Sequence, residues 1–526
     1  MKLLTHPAVT GLGIATLCLS SKIAPLVSLG HLIVYHTSGS TFPLFASTLL
    51  SLLLLALGLG LLLHLADLSP RLRPFLWSAL VCCLPILLYV ELVALTGWTL
   101  PSYLLRLLLI LALLVALLLA SRTSLQSALY ELHQLAVSIL GFAAILGVFV
   151  MAELLWFGKQ ASHATPLPPF QPQTALTSPI PPSPRILWIV FDELSYQQIY
   201  ERRYPGLQLP AFDQIAQQST LFTHTIPAGI FTELVLPSLL TGTSVDRIRA
   251  SADSNSLQLH NPNTLQWTTL QPHNTVFQDA QQAGLRTAVS GWYNPYCRIL
   301  PGVLDRCYWS NRVPRLMGFL PNAALNTIAV DLAHRFFDSL HQLTHPHDLV
   351  PEDVFDAAAH LADFQDITTH ANQLLRDPSL GFIFLHLPIP HRVGIYNRNT
   401  AQFALTNSTY LDNLALADRY LAHIHEQLQQ QGQWDATTIV IMGDHSWRAH
   451  LVRDNFGGLA PEEQAASNGA KFDDRPAYLI KLPYQNQPAR LDTPFHATQT
   501  RALLDALIHQ QLRTPNDLIA WATQHP

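Results

Sequence analysis

Charge is scarce in this chain: only 12% of its 526 residues are Asp, Glu, Lys or Arg, against about 25% in an ordinary soluble protein. Basic residues do not outnumber acidic ones, 30 against 35 with a formal net charge of −5, which excludes a simple basic nucleic-acid binder. Cysteines number five, too few for a disulfide scaffold, and no CxxC spacing suggests a zinc ribbon. No internal repeat runs through the chain, and its length allows two or three domains.

Apolar residues make up 49% of the chain and crowd into its first third. Pro43 to Ala66 carries no charged side chain and, at about 1.5 Å per residue, crosses a hydrocarbon core of about 30 Å. Similar runs occupy Phe75–Trp98, Tyr103–Ser121 and Leu135–Phe157, and a weaker one, Val9–Tyr35, is interrupted by Ser20, Ser21 and Lys22. The first run is too long for a signal peptide and lacks a small-residue cleavage site, so it reads as a fifth span. Lys2, Arg71, Arg73 and Arg122 fall on one side, while the connections at His36–Phe42 and around Pro101 carry only Arg106. The positive-inside rule then puts the N-terminus in the cytoplasm and everything after Phe157 outside.

Lys22 and Glu91, inside spans, are functional candidates, with a buried partner or a water-facing position as the plainer reading. No repeated half or pair of broken helices marks a transporter. Cys18, Cys82 and Cys83 read as small packing residues of the spans. Residues 158–185 are Pro-rich and read as an extended spacer. Residues 186–526 have the character of a globular α/β domain. Its two cysteines, Cys297 and Cys307, either close a short disulfide loop in an oxidising compartment or are unrelated small core residues.

Four segments of this domain carry chemistry. ILWIVFDELS, Ile186–Ser195, is a buried parallel strand with Asp192 and Glu193 at its carboxyl tip, the edge where open α/β sheets bind ligands; capping of the next helix is the plainer role for these acids. In HTIPAGIFTELVLPSLLTGT, His224–Thr243, Thr232 precedes PSLLTG, a short helical start closed by glycine. A hydroxyl beside unpaired helix N–H groups suits developing negative charge, though a simple cap has the same pattern. TTIVIMGDHSWR, Thr437–Arg448, is a further buried strand that runs into Gly443, Asp444 and His445, an acid and an imidazole able to reach one cation or merely polar surface. GFIFLHLPIPH, Gly381–His391, supplies another strand with His386 and His391. Together these segments can bring their polar ends to one metal-centred site, where a cation would acidify the Thr232 hydroxyl.

In these motifs, with the later FDDRPAYLIKLP (Phe472–Pro483), the chain resembles the alkaline phosphatase and sulfatase superfamily over roughly Ile186–Leu507. The nearest pattern is its membrane-anchored sulfatase-like branch, which includes lipoteichoic acid synthases and phosphoethanolamine transferases. The resemblance implies an α/β alkaline-phosphatase-like domain with a mixed, mostly parallel sheet between helices, behind a multi-span α-helical membrane domain. It makes Thr232 the nucleophile and a metal ligand, and Asp444 and His445 metal ligands, with Asp192 or Glu193 completing the set. His391 would contact the transferred group or protonate the leaving oxygen, with His386 as the alternate. Arg448 and Arg475 are candidates to pair with substrate oxygens or to form structural salt bridges, and Lys481 and His496 are weaker candidates.

Formylglycine-dependent sulfatases need Cys or Ser followed by Pro two residues on and Arg two further. The segment here is TELVLP, and threonine cannot become formylglycine. A plain hydroxyl suits phosphoryl transfer through a covalent phosphothreonine. The expected cofactor is a divalent ion, zinc or manganese favoured and calcium open. The expected partners are a membrane lipid, a phospholipid donor and a glycan or lipid acceptor, with no nucleic acid, at the outer face of a bacterial-type inner membrane. Transferase and hydrolase stay open, as do a sulfate-ester or phosphonate hydrolase and a catalytically silent binding protein on the same fold. Asn407-Ser408-Thr409 matches a glycosylation acceptor.

Overall fold

The computed structural model describes residues 6–27, 42–70, 72–96, 126–162, 185–253, 255–312, 351–455 and 458–525, with isolated positions elsewhere in the first 115. They fall into two compact units, one built on the helices of residues 6–162 and an α/β unit that holds nearly all of the rest. The Pro-rich spacer, most of the Tyr103–Ser121 run and the side chains of Lys22 and Glu91 lie outside the described residues.

The helical unit contains α1 (Pro7–Val27), α2 (Phe42–Leu68), α3 (Arg73–Thr96) and α4 (Gln126–Ser162). Ala15, Leu19 and Ile23 of α1 pack on Leu52 and Ala56 of α2. The backbones approach so closely that a Cβ on Gly11 would lie 2.5 Å from the Ala56 carbonyl oxygen, the small-residue contact typical of helices packed in lipid. Among the described residues two helices are long and apolar enough to cross a membrane, α2 and Ser127–Ser162 of α4. Leu57 and Leu61 of α2 and Phe142 and Phe149 of α4 all stand exposed, an outward apolar surface that water alone would disfavour. Of the other three expected spans, two are shorter apolar stretches among the described residues, Pro7–Ser20 and Arg73–Tyr89, and Tyr103–Ser121 falls mostly outside them.

In the α/β unit eight strands form one sheet: β1 (Ile186–Asp192), β2 (Thr220–Phe222), β3 (Thr287–Trp292), β4 (Arg306–Ser310), β5 (Phe382–Pro390), β6 (Thr438–Gly443), β7 (Tyr478–Lys481) and β8 (Ala489–Leu491). Their order is β8-β2-β7-β6-β1-β5-β3-β4, and only β7 runs antiparallel to its neighbours. Every residue of β1, β5 and β6 is buried, as expected of central parallel strands covered on both faces.

Alternation along β1 explains the two layers. Leu187, Ile189 and Phe191 join one core with Ile367 and Leu375 of α6 (Pro351–Arg376) and Leu414 and Leu421 of α7 (Tyr410–Gln430). Trp188 points the other way, its ring centroid 4.4 Å from that of Phe384. Thr409 caps α7 in a reciprocal capping box with Asp412, so the hydroxyl of the glycosylation-like triplet is engaged in starting this helix. The helix read as starting at Pro237 begins five residues earlier: α5 spans Thr232–Thr241 and ends, as its glycine implied, on a left-handed Gly242.

Candidate metal-centred active site

Register brings the polar residues together. β1 pairs in parallel with both β6 and β5, with Phe191 beside Gly443 and Val190 beside His386, so three strands deliver Asp192, Asp444 with His445, and His386 to one edge. Gly443 permits the close pass, since a Cβ there would lie 2.6 Å from the Leu194 carbonyl oxygen. Thr232, the first residue of α5, completes the group from above that edge. Its hydroxyl oxygen is 2.9 Å from Asp444 Oδ2, 3.1 Å from Asp192 Oδ2 and 3.4 Å from His445 Nε2.

His386 Nε2 lies 3.7 Å from Asp192 Oδ2, and His445 Nε2 is 3.2 Å from Asp444 Oδ2 and 3.9 Å from Asp192 Oδ1. These separations bracket the roughly 3.3–3.6 Å edge of a tetrahedron of N and O donors around one ion. One hydroxyl proton cannot satisfy two carboxylates, and Asp192 Oδ1 and His386 Nε2 are buried without a hydrogen-bond partner. Donor atoms of Asp192, His386 and Asp444 all lie within 4.8 Å of one another. The electrostatics agree: burial pushes Asp192 well above the usual carboxylate range, with Asp444 adding to the rise, and burial also raises Asp444. Burial holds His445 down at about 3 and His386 at about 4. Two acids and two neutral imidazoles out of water fit a divalent cation, which would supply the missing positive charge.

Several residues depart from the expected set. Glu193 is not a member of the donor group: its carboxylate takes the Arg448 Nε–H at 2.7 Å, and its backbone is left-handed (φ 67°). Its backbone N–H instead donates to Asp444 Oδ1 at 3.0 Å. His386, expected as an alternate proton donor, sits with Asp192 and Asp444 in the group that could hold a metal, its Nδ1 2.8 Å from the Tyr296 hydroxyl. Arg475 is elsewhere, bonded to Asp473 and Glu201 and lying over the Tyr196 ring. Lys481 is buried and donates to the Trp434 carbonyl at 2.9 Å, while His496 pairs through its backbone with Ile226.

Arg448 reaches the site's rim, its guanidinium also donating to the Ile230 carbonyl at 3.0 Å and lying over Phe231. His391 is half-buried just beyond β5. Burial and then the nearby Arg448 charge, with smaller contributions from His360 and His445, keep it well below the ordinary histidine value, so it is neutral at neutral pH. Cys297 and Cys307 are joined in a disulfide, which ties the short helix Tyr296–Ile299 to β4 and so steadies Tyr296 against His386. Reasoning along the chain missed Tyr296, Trp292 and Tyr410, whose hydroxyl donates to the Glu193 carbonyl at 2.8 Å. Nothing in their own sequence surroundings marks them; only the strand register does.

The family model described as Sulfatase matches residues 184–488. The chain belongs to the sulfatase family. Members of that superfamily bind a divalent metal, and the buried Asp192–His386–Asp444 group stands where the three central strands end. Among curated proteins none matches. Among solved structures, Ps i-CgsB in complex with k-i-k-neocarrahexaose is similar at 17% identity, covering 65% of this chain and 77% of that one with a TM-score of 0.40. The phosphonate monoester hydrolase of Agrobacterium radiobacter is similar at 12%, covering 62% and 74%, with a TM-score of 0.37. Murine ectonucleotide pyrophosphatase/phosphodiesterase 5 is similar at 10%, covering 62% and 95%, with a TM-score of 0.34.

Proposed function

We propose that this sulfatase-family member is a metal-dependent phosphoester-cleaving enzyme that works through a Thr232 nucleophile at the outer face of a membrane and moves a phospholipid head group to an envelope glycan or lipid. The observation that carries the reading is the Thr232 hydroxyl, set at the N-terminus of α5 within 3.4 Å of both carboxylates and His445. Asp192, Asp444, His445 and His386 would hold the ion together with Thr232. A bound divalent ion acidifies a hydroxyl and neutralises phosphoryl oxygens.

The chain's own residues supply the rest. Asp444 takes up the Thr232 proton as its oxygen attacks phosphorus in line, and the first-turn N–H groups of α5 face the charge that develops. His391, neutral and short of a partner at Nδ1, contacts the transferred group on the leaving-group side. The P–O bond to the leaving alcohol breaks as that oxygen takes a proton from water, and the phosphothreonine remains; in a second step an acceptor hydroxyl attacks phosphorus, releasing its proton to solvent, and the departing Thr232 oxygen recovers the proton held by Asp444. The proposed layout is an anchor of about five helices over residues 1–157, a linker at 158–185 and a catalytic domain at 186–526 in the periplasm. The outward leucines of α2 support the anchor.

Mass spectrometry of protein quenched during turnover of a phospholipid tests this: it should find added mass on Thr232, and Thr232→Ala should lose activity by on the order of 10³-fold or more. Unmodified Thr232 with full activity in Thr232→Ala would reject the mechanism. The family match equally favours a sulfate-ester or phosphonate hydrolase using threonine directly. That reading predicts release of inorganic sulfate, or cleavage of a phosphonate monoester, from chromogenic esters with no transfer to an acceptor.

A further inference from the structure

His360 has no part in the chemistry above, yet its surroundings are unusually constrained. It projects from α6 and is 1% exposed. Its Nδ1 is 2.7 Å from the Val393 carbonyl oxygen and its Nε2 is 2.7 Å from that of Pro388. Those two carbonyls bracket His391. A carbonyl only accepts, so satisfying both takes an N–H on each ring nitrogen, which a neutral imidazole does not have.

The ring also stacks on Trp292, at 5.6 Å between centroids, and meets His391 edge-on at 6.3 Å. Trp292 is fixed in turn by its indole N–H, which donates at 3.0 Å to Asp363, one helical turn on from His360. From the other flank Asn413 of α7 donates to the carbonyl oxygens of His391 at 2.8 Å and Val393 at 3.2 Å. The segment is therefore gripped by its backbone on both sides, and the His391 imidazole, against Trp292 and His360, has no hydrogen-bond partner at Nδ1.

We propose that His360 is a positioning residue which, with both ring nitrogens donating, clamps the carbonyls of Pro388 and Val393 and so sets the orientation of His391. This rests on the reading of His391 as the group that contacts the transferred phosphoryl. Burial holds the His360 ring below the ordinary histidine value, and the two carbonyls push it back up; the geometry of two acceptors at 2.7 Å, one on each ring nitrogen, is what argues for two donors. The Trp292 face adds a cation–π contribution. The ionisable groups around it are His391 and, through Trp292, Asp363; Arg392 adjoins His391 in the chain.

Full-length protein labelled with 15N-histidine provides the test, with His360→Phe keeping a ring but no donor and His360→Gln keeping one donating amide. At pH 7.5 both His360 nitrogens should carry the protonated signature. In the variants, whose folding is checked by thermal unfolding, the His391 ring resonance should shift. Turnover of bis(4-nitrophenyl) phosphate should fall roughly 10- to 100-fold in kcat, with KM moving less than about threefold, as expected when a reacting group is misplaced by about 1 Å. A His360 ring with one unprotonated nitrogen, or an unchanged His391 resonance in folded His360→Phe, would overturn the clamp. The resonance arm needs no turnover, so a wild-type protein that cleaves no phosphodiester counts against the proposed function alone.

Discussion

Asp192 and Glu193 are adjacent acids with different work. The side chain of Asp192 enters the donor group, whereas Glu193 contributes its backbone N–H to Asp444 and its carboxylate to Arg448. Glu193 and the Arg448 side chain are 2% and 12% exposed, and removing one partner of such a pair leaves a buried charge uncompensated. Asp192→Asn should therefore abolish stoichiometric metal binding, measured by elemental analysis of the purified protein. Glu193→Gln should retain the metal but lose about 3 kcal/mol of stability in denaturant titration. Equal metal loss in both variants would place Glu193 among the ligands after all. Both acids were visible in IVFDELS, but the choice between them was not, because it depends on contacts with Thr232 and Arg448, residues distant in the chain.

At the level of elements, the disulfide and α5 show how local pieces support the centre. Cys297–Cys307 closes a ten-residue separation, and chain entropy assigns such a loop about 2.7 kcal/mol. Cys297→Ser with Cys307→Ser should lower the unfolding free energy by about that amount. It should also reduce kcat, because Tyr296, next to Cys297, holds His386 through a 2.8 Å contact. A loss of stability with untouched kcat would confine the bridge to a scaffolding role. The α5 boundary is a second case. PSLLTG was legible as helix, but Pro237 disguised the start five residues upstream, since proline usually opens a helix and here lies within one. Moving the start to Thr232 is what sets the hydroxyl at the helix N-terminus.

Across the whole molecule, protonation couples the site to stability. The imidazoles of His445 and His386 titrate at about 3 and about 4 in the folded protein, below the ordinary 6.5. The unfolded chain takes up those protons first as pH falls, so their contribution is full above pH about 6.5 and is lost progressively towards pH about 3. Thermal midpoints measured from pH 7.5 to 4 should decline, and His445→Gln should flatten that decline; an unchanged slope would show that other groups govern it. The raised carboxylates act with opposite sign, losing stability as pH rises through their folded values. Added zinc or manganese should recover that loss and bind more tightly at higher pH.

Sequence by itself indicated the α/β sulfatase fold of the second unit, because buried β-branched strands ending in Asp or Asp-His have few physical alternatives in water, and its long uncharged leucine runs pointed to the apolar helices of the first. It also singled out Thr232, Asp444 and His445, whose neighbours carry the pattern and which the structure brings together. Only tertiary structure decided that His386 lies with Asp192 and Asp444, that Arg475 and Lys481 stay away, and that Tyr296 contacts His386. Those outcomes follow from which strands lie side by side and in what register, a relation between residues up to hundreds of positions apart that no local pattern encodes.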